Sequence, residues 1–102
     1  MSLNIENFVH ALGQVRSNAL VAGSHGIASV TRGSAGNYSL TLSVPLASEE
    51  SNVQITLQNS GIATGIASFS FVSSTLLSLL TYDVANSDFG DANFDILICR
   101  TK

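Results

Sequence analysis

Polar and apolar residues alternate along several short stretches of this chain, a pattern that predicts β-strands. In residues 38–44 the sequence YSLTLSV places an apolar side chain at every second position, the period of a half-buried strand. A short apolar run at 27–31 precedes it, and segment 32–37 between them holds two glycines, which are typical of turns. Pro45 cannot donate to a strand ladder, so we expect the second strand to stop there. Residues 27–44 are therefore predicted to form a β-hairpin.

The rest of the chain predicts further strands. Residues 53–57 and 67–71 alternate in the same way, whereas 76–82 and 94–99 are apolar at most positions. An acidic, asparagine-rich loop is expected at 83–93. Short strands separated by turn residues indicate an all-β, antiparallel β-sandwich of jelly-roll type, and no stretch after residue 20 favours a helix.

The N-terminal region is less regular. Residues 7–16 suit a strand or an extended arm, and 18–21 suit another short strand. The length of 102 residues allows one domain. We therefore predict a single domain over residues 1–102, with 1–16 as its N-terminal arm.

The two apolar strands near the end carry more apolar side chains than one core face can bury. If Leu77, Leu79 and the alternate residues from 94 to 98 face the core, a second set of side chains faces outward. That set comprises Leu76, Leu80, Tyr82, Leu97 and Cys99. An apolar patch of this size marks an interface, so we predict a homotrimer whose interface includes Leu76, Leu80 and Leu97. The alternative is that the N-terminal arm covers these residues.

Composition agrees with buried contacts between subunits. Charged residues make up only 11% of the chain and hydrophobic residues 45%, and interface cores are poor in charge. A monomer with a neutral surface rich in Ser, Thr and Asn is the alternative. No run is long enough to span a membrane, so no membrane insertion is expected.

Charge and cysteine content exclude other classes. With four Lys and Arg residues and a net charge of −3, the chain lacks the basic surface that nucleic-acid binding requires. A single cysteine, Cys99, allows neither an intrachain disulfide nor a cysteine-based zinc site, and a buried, inert thiol is expected there. The N-terminus lacks the pattern of a signal peptide, so synthesis in a cytoplasm is expected.

Catalytic and metal-binding signatures are weak. No G-x-S-x-G motif occurs, and we expect no enzymatic activity and no cofactor. The acidic loop lacks the D-x-N-x-D-G order of a calcium site, which favours a solvated loop over a metal site. His10 and His25 are expected to be a packing residue and a solvated turn residue.

The hairpin and the last third of the chain together resemble a recurring domain of bacteriophage tail fibres. The resemblance covers about residues 10–100. Its motifs are GIASVTR at 26–32, GNYSLTL at 36–42, Pro45-Leu46, the strand at 53–57, Thr81-Tyr82-Asp83, Asp91, and the phenylalanine-led strand at 94–98. Two departures are a longer loop between Asp83 and Asp91, and Phe8 where the family often has tryptophan.

The resemblance implies a trimeric β-sandwich at the tip of a virion fibre, made in the host cytoplasm and used for attachment to a host-surface glycan or protein. The alternative is a small lectin-like β-sandwich that is not part of a fibre. Candidate ligand loops are 32–37 and 83–93, rich in side chains that hydrogen-bond sugar hydroxyls. Candidate binding residues are Tyr82, Asp83, Asp88, Phe89 and Asp91, with the two aromatic rings expected to stack on a sugar. The alternative is that both loops are plain connections.

Overall fold

A computed structural model describes residues 9–20, 24–58 and 65–101. These residues form nine strands and a short 3₁₀ turn at Ser48–Glu50, with no α-helix among them. The strands are β1 Val9–Arg16, β2 Ala19–Leu20, β3 Ile27–Ser34, β4 Asn37–Leu42, β5 Ser51–Leu57, β6 Gly65–Phe71, β7 Leu76–Asp83, β8 Asp88–Phe89 and β9 Phe94–Arg100. The described part of the chain therefore holds no helix that is long and apolar enough to cross a membrane.

The strands form two antiparallel sheets, which confirms the predicted all-β, sandwich-like fold. The four-stranded sheet has the order β2-β1-β9-β5. The five-stranded sheet has the order β3-β4-β7-β6, with the short β8 paired to β7. Consecutive strands therefore cross between the sheets after β2, β4, β5 and β8.

The predicted hairpin is present as β3 and β4. Its turn is tighter than expected, because Ser34 already pairs with Asn37 and leaves only two residues between the strands. Gly36 in this turn has a φ of 68°, a conformation that glycine adopts without steric cost. The second strand ends at Leu42, shortly before Pro45, as the sequence indicates.

The core lies between the sheets and is built from the alternating residues of the longer strands. Leu77 and Leu79 of β7 are fully buried, and so are Phe94, Ile96 and Ile98 of β9, as predicted. Tyr38 packs edge-to-face on Phe94, with ring centroids 5.1 Å apart. The two sheets are thus held together mainly by apolar burial between β4, β7 and β9.

The structure decides two sequence expectations. Of the strand and the extended arm predicted for residues 7–16, the described residues 9–16 form the strand, β1, which lies between β2 and β9 in the four-stranded sheet. β1 is beside β9 and does not cover the outward side chains of β7. Residues 1–8 lie outside the described part. The acidic segment 83–93 is not all loop, since Asp88–Phe89 pairs with Tyr82 and Asp83 of β7.

Candidate binding site

The outer face of the five-stranded sheet is uncharged. On β7 the outward side chains are Leu76, Ser78, Leu80 and Tyr82, all half-buried. Their register neighbours on β4 and β6 are Asn37, Ser39, Thr41, Ile66, Ser68 and Ser70. None of these ten residues carries a charge, so this face combines hydroxyl groups with an apolar patch.

A groove of about 400 Å³ opens on this face near the end of β7. It is lined by Ile66, Ala67, Ser68, Leu80, Tyr82 and Phe89. The rings of Tyr82 and Phe89 meet edge-to-face, with centroids 5.5 Å apart and planes at 84°. Phe89 is 48% exposed and Ile66 is 58% exposed, so the groove presents apolar surface that the described chain does not cover.

The turn between β7 and β8 places Phe89 in the groove. Asp83 is buried, and its carboxylate accepts the backbone N–H of Ala85 at 3.1 Å and the side-chain amide of Asn86 at 2.6 Å. These bonds reverse the chain, and β8 then pairs with β7 so that Phe89 lies opposite Tyr82. The carboxylate of Asp83 therefore shapes the turn, and the ring of Phe89 becomes one wall of the groove.

Asp91 joins separate turns behind the groove. Its Oδ2 lies 2.7 Å from Nε of Arg32, its Oδ1 accepts the backbone N–H of Gly36 at 2.8 Å, and the amide of Asn18 donates to Oδ2 at 3.5 Å. The hydrogen bond from Arg32, helped by the N–H of Gly36, holds the pKa of Asp91 below its usual value. This carboxylate is engaged within the protein.

Tyr38 extends the same network into the core. Its hydroxyl donates to Oδ1 of Asn18 at 2.8 Å and accepts the buried backbone N–H of Ala92 at 3.2 Å. Burial raises the pKa of Tyr38, so the phenol stays neutral and keeps its donor. The segment that leads into β9 is thereby fixed to the β3–β4 hairpin.

The five predicted binding residues thus fall into two groups. Tyr82 and Phe89 line the groove. Asp88 is exposed but pairs with Asp83, on the side of β8 opposite to Phe89, and its carboxylate accepts the N–H of Phe89 at 2.8 Å. Asp83 and Asp91 serve internal hydrogen bonds. The structure brings the two predicted loops together through Asp91, while their binding of a ligand stays a prediction.

The three predicted interface residues are not on one surface. Leu76 and Leu80 share the outer face of the five-stranded sheet, whereas Leu97 pairs with Leu12 and Gln54 on the outer face of the four-stranded sheet. β7 and β9 belong to different sheets, so their outward side chains point in opposite directions. The sequence analysis missed Ile66, although it has the same two-residue spacing from Ser68 as the other outward positions.

The histidines and the cysteine show no shared site. Nε2 of His10 is 2.7 Å from the carbonyl oxygen of Val44, and His25 forms two backbone bonds with Leu12. Cys99 has a free, half-buried thiol, more open than the buried thiol expected. In the segments that the structure describes, no group of three or more His, Cys, Asp or Glu residues is arranged to hold a metal ion.

The groove bounded by Leu80, Tyr82 and Phe89 is therefore the best-defined candidate site. It offers two aromatic rings, aliphatic walls and Ser68, whose side chain carries a hydroxyl group. Comparisons with protein-family models, with curated proteins and with solved structures find no match to this chain. The resemblance to tail-fibre domains accordingly rests on the sequence motifs alone.

Proposed function

We propose that this protein is a virion attachment module, a trimeric, jelly-roll-like sandwich of the kind found at the tip of a phage tail fibre. It acts by binding and not by catalysis. The observation that carries the proposal is the uncharged outer face of the five-stranded sheet with its open apolar groove. A surface that is poor in charged residues and exposes apolar area is typical of protein interaction sites.

In this proposal the two ends of one face have different roles. Leu76 and Leu80 pack against the neighbouring subunit. Tyr82 and Phe89 lie in the groove and, with the exposed Asp88 that precedes Phe89, contact a host-surface glycan or protein. Leu80 belongs to both regions, so a neighbouring subunit would border the ligand site. Leu97 lies on the opposite face and has no part in this contact.

A second candidate function is a small lectin-like protein outside any fibre. The edge-to-face pair of Tyr82 and Phe89 favours it, because aromatic rings in open grooves offer flat apolar surface to the C–H faces of sugars. This reading needs no trimer. It places the sugar in the groove and leaves the Leu76 end of the face exposed.

Oligomeric mass separates the two candidates. Light scattering of the purified chain should give three times its mass of 10.6 kDa, or a whole multiple of that trimer mass, for the fibre-tip proposal. A monomer at micromolar concentration would overturn the trimer and favour the lectin reading. Mass spectrometry of purified virus particles from the source should detect this chain, and its absence from the particles would overturn the virion role.

A further inference from the structure

We propose that strand β6 is a docking edge, at which a second copy of this chain pairs antiparallel with its own β6. β6 ends the five-stranded sheet, and its seven residues pair with β7 without a register shift. Within residues 9–20, 24–58 and 65–101 no strand pairs with its other edge. A straight, unpaired edge presents backbone donors and acceptors in the spacing that a further strand requires.

Of the other three strands that end a sheet, two carry features that hinder pairing. β2 has only two residues. β3 has two register shifts and carries Arg32. β5 is as regular as β6, but its exposed side chains are all polar, whereas β6 exposes Ile66 and Phe69. The β6 sequence, GIASFSF, has no charge and no proline, and charges and prolines are the features that usually protect an unpaired strand edge.

The sandwich is also open beside β6. Phe69 lies opposite Leu79, which is fully buried, so Phe69 is on the inner side of its sheet. Phe69 is nevertheless 42% exposed, and Val53 and Ile55 on the neighbouring edge strand β5 are only partly buried. The inner apolar surface at this side therefore lacks a cover that an added strand would supply.

The sequence of β6 fits a second copy of itself. In an antiparallel pair centred on Ser68, Ala67 faces the partner's Phe69 and Gly65 faces the partner's Phe71. On the other side of the sheet, Ile66 faces the partner's Ser70. Each large side chain thus meets a small one, and no like charges oppose each other, which is the pattern that stabilises cross-strand pairs.

This contact is separate from the proposed trimer contact at Leu76 and Leu80. Ile66, Ala67 and Ser68 belong to both the docking edge and the groove, but Leu76 and Leu80 lie on β7, one strand in from that edge. If both contacts form, trimers join in pairs and the particle has six copies, whereas the edge contact alone gives a dimer. The inference therefore predicts an even number of copies and does not depend on the trimer.

Cysteine cross-linking tests the register in a Cys99→Ser background. Ser68→Cys places the two thiols directly opposite each other, within reach of a disulfide, so mild oxidation should convert most of the chain to a covalent dimer. Ser70→Cys is the matched control on the same strand, because the proposed register places its partner thiol about 13 Å away. Cross-linking of Ser70→Cys at an equal or greater rate, or of neither variant, would overturn the proposal.

Particle mass provides the second test. Phe69→Lys adds a charge at a half-exposed inner position of the edge and should halve the mass measured by light scattering. Circular dichroism should show an unchanged β-spectrum. A folded Phe69→Lys protein of unchanged mass would overturn the proposal, and if this variant does not fold, the cross-linking pair still decides.

Discussion

Gly36 donates its backbone N–H to the carboxylate of Asp91 at 2.8 Å, which ties the β3–β4 turn to the segment that leads into β9. Gly36 also lies against β7, because its carbonyl oxygen accepts the N–H of Thr81 at 2.8 Å. One turn residue thus connects to β7 and to the segment between β8 and β9. The position of β8, and with it the groove wall at Phe89, depends on this junction.

Gly36→Ala should therefore destabilise the fold strongly. The φ of 68° disfavours any side chain, and a Cβ would overlap the carbonyl oxygen of Thr81 and come within 2.9 Å of the Gly90 nitrogen. We expect a loss of about 2–4 kcal/mol in the free energy of unfolding, measured by urea denaturation. Gly33→Ala is the control, since its Cβ would meet nothing closer than 3.8 Å. Equal stability of the two variants would contradict this account of the turn.

The ion pair of Asp91 predicts a dependence of stability on pH. The pKa of Asp91 is lowered in the folded state, first by Arg32 and then by the N–H of Gly36. Its contribution is therefore present above the unfolded value of about 3.9 and is lost as the pH falls through the lower folded value. The melting temperatures of wild type and Asp91→Asn should differ at pH 6 and converge below about pH 4.

The size of this effect is limited because the pair is near the surface. One third of the Asp91 side chain is exposed, so Asp91→Asn should cost about 1 kcal/mol at neutral pH, and less in high salt. Asp88→Asn is the control, because Asp88 has no ion pair among the described residues. A constant difference between wild type and Asp91→Asn across the pH range would show that the charge of Asp91 is not involved.

The sequence predicts the strands well where one face is buried. In segments 38–42 and 53–57, the period of two identifies the strand and also which side chains face the core. The predicted alternation runs two residues too far in the first segment, since β4 ends at Leu42 and Val44 is 58% exposed. The sequence could not assign β7 and β9 to sheets, since both segments are apolar on both sides and pairing is decided by distant partners. For that reason Leu97 was grouped with Leu76 and Leu80.

The candidate site was predictable in part. Tyr82 and Phe89 are aromatic residues in or beside a polar segment, and this contrast identifies them. The role of Asp91 was not predictable, because its partners Gly36 and Arg32 lie 55 and 59 residues away. β8 has only two residues, too few for a periodic signal, and its pairing depends on the turn held by Asp83.

Tyr38→Phe should show how much the buried hydrogen-bond network stabilises the fold. Removal of the hydroxyl leaves the buried N–H of Ala92 without this acceptor and Asn18 without this donor, a loss of about 1–3 kcal/mol in unfolding free energy. Tyr82→Phe is the matched control, because the Tyr82 hydroxyl has no hydrogen bond within the described chain, and it should change stability by less than about 0.5 kcal/mol. Similar losses in chemical denaturation of both variants would contradict this distinction.

Leu80→Asp tests the proposed trimer contact. Leu80 is half-buried in the single chain, so the variant should still fold. In the trimer, however, its carboxylate would be buried and unpaired between subunits, at a cost of roughly several kcal/mol. Light scattering should then report a smaller particle. Leu97→Asp makes the same change at a half-buried leucine on the opposite face and should retain the trimer. If only Leu97→Asp dissociates the particle, the interface lies on the four-stranded sheet instead.

Phe89→Ala tests the groove as the ligand site. Phe89 lies outside the core and contacts the ring of Tyr82, so its truncation should leave the fold and the particle mass intact. Loss of an aromatic contact worth about 1.4 kcal/mol corresponds to a tenfold weaker affinity. Binding to a panel of immobilised bacterial surface glycans, and adsorption to host cells, should both fall by about that factor.

The control for this experiment is Val84→Ala, which truncates an exposed apolar residue in the turn between β7 and β8 but outside the groove. It should bind as the wild type does. Full binding by Phe89→Ala would place the ligand elsewhere. If Phe89→Ala loses its fold, its ring serves to hold β8 on β7, and Ile66→Ala on the opposite wall becomes the deciding variant. Ile66 is 58% exposed, so its loss removes groove surface with little effect on the core, and unchanged binding by that variant would exclude the groove.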